Sequence, residues 1–212
     1  MKIYCLSGLG VDKKAFQNLK VNGIEFIHID WIHPEKSESL EQYAKRLFEK
    51  SSIDENYNLL GVSFGGMIAI EFAKIRKPTN LYLISTISTR KELRPIFKIA
   101  GALRLHRIVP MSLLKKTNFI TRYFFGVKKK EEIELLRQIL KETDSDFLKW
   151  ALNAVLTWKN TENPEATIIH GSNDKILPIG KNVNYTISQG GHFMIVSNGA
   201  EISEILRVKN GL

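Results

Sequence analysis

The chain has 212 residues, of which 43% are hydrophobic, and its formal net charge is +9. This length allows one well-buried core and is short for two independent domains. No run of about 18 apolar residues occurs, so we expect no stable membrane insertion. The apolar run before Gly8 is too short for a secretory signal, and Cys5 has no second cysteine to pair with, so we expect a cytoplasmic protein.

The positive charge is concentrated in one segment. Residues 90–160 contain 16 lysines and arginines against 7 aspartates and glutamates, whereas the rest of the chain contains 15 of each. The whole excess therefore lies in this segment. Such an asymmetry predicts that the segment is a separate structural insert.

The first part of the chain alternates between strand and helix patterns. The predicted strands are 2–8, 24–31, 57–63 and 80–86, and the predicted helices are 12–19, 39–51 and 65–77. Ser39 is a candidate N-cap for the second helix, and Pro78 stops the third. Alternating strands and helices are typical of a parallel sheet with helices on both faces.

The alternation stops between residues 88 and 160. This segment contains no convincing strand, and its apolar residues recur at helical spacing over 131–143 and 146–158. Strand patterns return at 166–174 and 182–189, followed by a helix at 201–209. The predicted organisation is thus a core of residues 1–87 and 161–212, interrupted by a helical insert of residues 88–160.

A serine lies between two glycines where the third strand meets its helix. The stretch reads Gly61-Val-Ser63-Phe-Gly65-Gly66. A nucleophilic serine on a tight strand-to-helix turn needs small neighbours, because the turn brings other backbone against it. The pattern therefore predicts that Ser63 is a nucleophile, although a tight turn with an incidental serine would read in the same way.

A serine nucleophile needs a base, and the base needs an acid to orient it. His192 lies in a glycine-flanked loop after the last predicted strand, at the same sheet edge as Ser63, and is the best candidate base. Asp174, four residues past a strand end, is the candidate acid. The alternatives are a loop histidine without a role and a turn-forming aspartate. His170, at a strand end, is predicted to be structural.

The chain order Ser63, Asp174, His192 is that of the α/β-hydrolase fold. The sequence resembles the small α/β-hydrolases of the bacterial lipase, esterase and acyl-transfer superfamily through "GVSFGG", "HGSND" and "GGHF", with matches across the core. The resemblance implies a mostly parallel sheet of about six strands and a helical cap at 88–160. It also implies that the backbone amides of Leu9 and Phe64 form the oxyanion hole.

The activity that this resemblance implies is hydrolysis of a small ester or thioester through an acyl-enzyme. A lyase or cofactor-independent synthase of the same fold would carry the same triad, and a small-ligand binder could keep it without turnover. No clustered metal ligands and no complete dinucleotide fingerprint occur, so we expect neither a metal nor another cofactor.

The substrate is less well defined by the sequence. Phe124, Phe125 and Trp150, together with Trp158, are candidates to line an apolar acyl pocket, or they form the core of the insert itself. The basic stretch 127–132 is either a solvated helix start or a feature that attracts an anionic acyl substrate. Basic amphipathic helices can also lie on anionic lipid. No nucleic-acid recognition motif accompanies the charge, and the oligomeric state is left open.

Overall fold

A parallel sheet forms the centre of the molecule. The computed structural model describes residues 1–9, 11–103 and 115–212. The sheet has six strands in the order β2-β1-β3-β4-β5-β6, and every neighbouring pair is parallel. The strands are β1 (Lys2–Leu6), β2 (Glu25–His28), β3 (Asn58–Val62), β4 (Asn80–Ile84), β5 (Thr167–Gly171) and β6 (Tyr185–Ile187). The predicted parallel sheet of about six strands is confirmed.

Helices connect the strands and cover both faces of the sheet. Those in the described part of the chain are α1 (Leu40–Lys50), α2 (Phe64–Ile75), α3 (Pro95–Ala102), α4 (Phe119–Phe125), α5 (Lys130–Glu142), α6 (Ser145–Thr157), α7 (Met194–Ser197) and α8 (Gly199–Lys209). None of these helices has both the length and the apolarity needed to cross a bilayer.

The helix predicted at 12–19 is a single 3₁₀ turn, Lys13–Phe16. Its start is capped by Asp12, whose side chain accepts a hydrogen bond from the Lys14 amide. The turn ends just before Asn18, whose side-chain amide donates to the carbonyl of Val196, 2.8 Å away. The backbone continues in tight turns, with the Leu19 amide donating to the Phe16 carbonyl at 2.9 Å, and forms no α-helix here.

The start of α1 follows directly from its sequence. Ser39 Oγ accepts a hydrogen bond from the Gln42 amide, and the Gln42 side chain accepts one from the Ser39 amide. This capping box satisfies two amides that the helix leaves free. The buried side chains of α1 are Leu40, Tyr43, Ala44 and Leu47, at the spacing of one helix face.

Alternating side chains of the strands supply two hydrophobic clusters, one on each face of the sheet. On β1, Ile3 and Cys5 belong to one cluster and Tyr4 and Leu6 to the other. The Tyr4 cluster is covered by α1, α2 and α6, and the Ile3 cluster by α5, α7 and α8. Both faces are therefore buried, as a parallel sheet requires.

The described residues of 88–160 contain helices and a 3₁₀ turn (Arg90–Glu92) but no strand. Helix α6 packs into the same hydrophobic cluster as α1 and α2. Trp158, just after α6, is only 2% exposed, and its Nε1 donates to Glu71 Oε1 of α2, 2.8 Å away. The interpretation of Trp150 and Trp158 as a separate core of the insert is therefore wrong, since both pack against the core of the sheet.

Candidate active site

Ser63 lies on a strained turn between β3 and α2. Its backbone dihedrals are φ 53° and ψ −117°, a region of the Ramachandran plot that residues other than glycine rarely occupy. Gly65 makes the turn possible, because a Cβ at this position would lie 2.3 Å from the carbonyl oxygens of Leu6 and Ser7. The turn thus packs directly on the end of β1 and holds Ser63 at the carboxyl edge of the sheet.

The three predicted catalytic side chains form a continuous hydrogen-bonded chain. Ser63 Oγ lies 2.8 Å from His192 Nε2, and His192 Nδ1 lies 2.8 Å from Asp174 Oδ2. They follow β3, β6 and β5 respectively, and the carboxyl ends of parallel strands meet at one edge. The fold therefore brings together residues that are up to 129 positions apart.

Asp174 is held as a buried carboxylate. Its Oδ1 accepts hydrogen bonds from the amides of Ile176 and Leu177 at 3.0 and 2.9 Å. Burial alone would raise the pKa of this carboxyl, but the attraction of His192 and the accepted hydrogen bonds outweigh it, so that the pKa lies well below its usual range. A carboxylate that stays charged orients His192 with Nδ1 protonated and Nε2 free to accept the serine proton.

A second imidazole, His170, also faces Asp174. His170 is buried at the end of β5, and its Nε2 lies 2.7 Å from the Leu177 carbonyl and 3.4 Å from Asp174 Oδ2. His170 therefore lies buried at the strand end, as predicted, but the sequence did not indicate its contact with the Asp174 carboxylate. The chain turns back after β5, with the Asp174 amide donating to the Gly171 carbonyl, and this turn brings position 170 beside position 174.

The two segments predicted to form an oxyanion hole lie beside Ser63. Phe64 is the first residue of α2, where backbone amides have no partner within the helix. Leu9 lies in the loop after β1, and a Cβ built on the preceding Gly8 would be 3.8 Å from Ser63 Cβ. The loop therefore passes alongside the serine.

The three candidate substrate contacts lie in different places. The ring of Phe125 lies edge-on to His192 with centroids 5.8 Å apart, and the ring of Trp150 lies 5.9 Å from that of Phe64. Phe124 is 38% exposed on the surface of α4, where its ring contacts Tyr123. The structure thus places Phe125 against His192, Trp150 against the side chain of the residue after Ser63, and Phe124 on the surface of α4.

Thr86 is a further residue at this site that the sequence analysis did not identify. Its Oγ1 donates to the carbonyl of Ser63 at 2.7 Å. Its side chain also occupies the space where a Cβ on Gly66 would lie, 2.5 Å away. The only sign of this role in the sequence was the position of Thr86 just after β4, the strand that pairs with β3.

The donor atoms at this site suit proton transfer. Within residues 1–9, 11–103 and 115–212, no group of three or more histidine, cysteine, aspartate or glutamate side chains is placed to hold a metal ion. When a hydroxyl, an imidazole and a carboxylate are hydrogen-bonded in this order, the imidazole can take the proton of the serine hydroxyl and then give it to a leaving group.

Known structures show the same fold at low sequence identity. A thermophilic esterase from Thermogutta terrifontis superposes with a TM-score of 0.71 at 16% identity, covering 98% of this chain and 88% of that one. A lipase-esterase related protein from Clostridium acetobutylicum gives 0.69 at 18%, covering 100% and 94%. A bromoperoxidase from Bacillus anthracis gives 0.69 at 14%, covering 98% and 90%. No protein-family model and no curated protein matches the sequence. The chain has the α/β-hydrolase fold.

Proposed function

We propose that this chain, an α/β-hydrolase by fold, hydrolyses a carboxylic ester or thioester through an acyl-enzyme on Ser63. The observation that carries the proposal is the hydrogen-bonded chain from Ser63 Oγ through His192 to Asp174, with both links at 2.8 Å. The strained serine backbone is a second support, because such strain is found where a side chain must be held for reaction.

The proposed reaction begins when Ser63 Oγ attacks the acyl carbon and His192 Nε2 takes the hydroxyl proton. The amides of Leu9 and Phe64 stabilise the negative oxygen of the tetrahedral intermediate, and one such donor contributes about 2.7–4 kcal/mol to lowering the barrier. His192 then protonates the leaving group. Water repeats these steps on the acyl-enzyme and releases the acid.

The insert would supply the acyl-binding surface in this proposal. Phe125 lies against His192, and Trp150 lies against Phe64, so both rings could contact an acyl chain bound at Ser63. The basic charge of the same segment favours an anionic acyl group. The proposed substrate is thus a small ester or thioester with an apolar or anionic acyl part.

The first prediction concerns Ser63→Ala. We expect this variant to lose about 10⁵–10⁶-fold in kcat on p-nitrophenyl esters, because no other group replaces the nucleophile. Its melting temperature should change little, since only one partly buried hydroxyl is removed. The measurement is steady-state hydrolysis over esters and thioesters of increasing chain length, with Ser63→Ala as the control throughout.

Covalent labelling separates this proposal from its alternatives. A fluorophosphonate should add to Ser63 in the wild type, detectable by intact mass, and should not add to Ser63→Ala. Substrates without any ester or thioester that are consumed in a Ser63-dependent way would instead indicate a lyase or synthase. A wild-type protein that neither labels nor turns over any acyl substrate would refute hydrolysis.

A further inference from the structure

Two side chains hold the loop beside Ser63 by donating hydrogen bonds to the same backbone carbonyl, that of Val11. We call residues 8–11 the oxyanion turn, of which Gly8, Leu9 and Val11 are described. The Val11 amide donates to the Gly8 carbonyl at 3.1 Å and closes the turn. The Val11 carbonyl accepts from Ser7 Oγ and, at 3.2 Å, from Trp31 Nε1. The orientation of the turn therefore depends on two donors outside it.

A second serine–histidine–aspartate chain extends from this turn to solvent. His28 Nε2 lies 3.2 Å from Ser7 Oγ, and His28 Nδ1 lies 3.0 Å from Asp30 Oδ1. Ser7 is fully buried, whereas the Asp30 side chain is 95% exposed. Because Ser7 is buried and gives its proton to the Val11 carbonyl, it is not placed to attack a substrate. The second chain therefore has a structural role, and Ser7 is not a second nucleophile.

We propose that Ser7, Trp31 and His28 are positioning residues that hold the oxyanion turn in place beside Ser63: Ser7 and Trp31 donate to the Val11 carbonyl, and His28 contacts the Ser7 hydroxyl. The inference rests on the proposed hydrolysis, in which the Leu9 amide of this turn is an oxyanion donor. It adds three residues that do not touch substrate.

The first test removes the two donors to Val11. Ser7→Ala and Trp31→Phe should each lower kcat about 10-fold with KM nearly unchanged, as expected for groups that orient other catalytic groups. The double variant should lose more than the product of the two, because the carbonyl is then left without a side-chain donor. Ser51→Ala is the matched control, since Ser51 Oγ also donates to a backbone carbonyl, that of Leu47, at 2.7 Å and away from the site.

A transition-state analogue distinguishes positioning from general damage. A trifluoromethyl ketone forms a tetrahedral adduct whose oxygen enters the oxyanion hole, so its Ki should rise by the same factor as kcat falls. The Ki of the product acid, which forms no such adduct, should stay within about two-fold of wild type. Equal weakening of both ligands would refute the positioning role.

The second test removes the His28 imidazole. His28→Phe leaves the Ser7 hydroxyl without its imidazole partner and should lower kcat with KM nearly unchanged. Asp54→Asn, at an exposed pair with Lys2 away from the turn, should change neither.

These outcomes are separable from failure of the proposed function. If Ser63→Ala retains hydrolysis, the proposed function itself fails. If hydrolysis depends on Ser63 but is unaffected by Ser7→Ala and Trp31→Phe, only the positioning role is refuted. Wild-type kcat in His28→Phe would remove His28 from the positioning residues.

Discussion

At the scale of single residues, Asp174 shows how one carboxylate serves both the fold and the proposed chemistry. One oxygen accepts two backbone amides of its own loop, and the other contacts His192. Its pKa is lowered on folding, so its charge contributes stability that is fully present above the unfolded pKa of about 3.9. That contribution is lost as the pH falls through the folded pKa.

The second prediction concerns Asp174→Asn. An asparagine can still accept from the Leu177 amide, but it no longer enforces the required tautomer of His192. We therefore expect kcat to fall about 10⁴-fold. The stability of the variant, measured by urea denaturation, should depend less on pH below about pH 4 than that of the wild type. A variant that keeps wild-type kcat would exclude Asp174 as the orienting acid.

At the scale of elements, the end of α4 is docked on the histidine loop. The Phe193 amide donates to the Phe125 carbonyl at 3.1 Å. Gly126, which ends α4 with φ +73°, approaches Gly191 so closely that a Cβ on Gly126 would lie 2.9 Å from the Gly191 Cα. The end of α4 thus contacts the backbone next to His192, and we expect a change in this helix to move the imidazole.

The third prediction compares two glycines with the same backbone strain. Gly126→Ala and Gly211→Ala both place alanine at a disfavoured positive φ, at a cost of about 1 kcal/mol, and Gly126→Ala should lose more because its methyl group meets the Gly191 backbone. Only Gly126→Ala should also lower kcat, by about 10-fold or more, since its new methyl group displaces the histidine loop. Gly211 has φ +67° and no neighbour within 4 Å of its Cβ position.

Thermal denaturation and ester hydrolysis measure the two effects separately. The role of α4 in holding His192 would be contradicted if both glycine variants lost stability alike and both kept wild-type kcat. Reduced activity in Gly211→Ala as well would point to backbone strain rather than to the contact with Gly191.

At the scale of the whole molecule, the charge asymmetry is the basis for proposing an anionic substrate. The net charge of +9 lies entirely within residues 90–160, and α4, in this segment, contacts the loop of His192. A positive field over the proposed site raises the local concentration of anions and is weakened by salt. This argument supports an anionic acyl substrate.

The fourth prediction concerns the effect of salt on this positive field. Between about 0.02 and 0.5 M NaCl, kcat/KM should fall about 3–10-fold for a p-nitrophenyl ester with a terminal carboxylate and change little for a neutral ester of equal length. The variant Lys128→Gln with Lys130→Gln should show a smaller salt effect. Equal salt dependence for both esters would rule out an electrostatic preference and leave the lysines as solvated surface.

The sequence by itself determined the fold class and the candidate triad. Strand and helix periodicities are local, and Ser63, Asp174 and His192 each follow a strand, so their meeting at one sheet edge follows from parallel pairing. The fold prediction is confirmed, whereas the catalytic roles stay predictions. The tertiary structure alone decided the rest: the packing of Trp158 on Glu71, the second imidazole at Asp174, and the convergence of Ser7 and Trp31 on the Val11 carbonyl. These contacts join groups on different elements, and their geometry depends on how those elements pack in three dimensions, which no local pattern encodes.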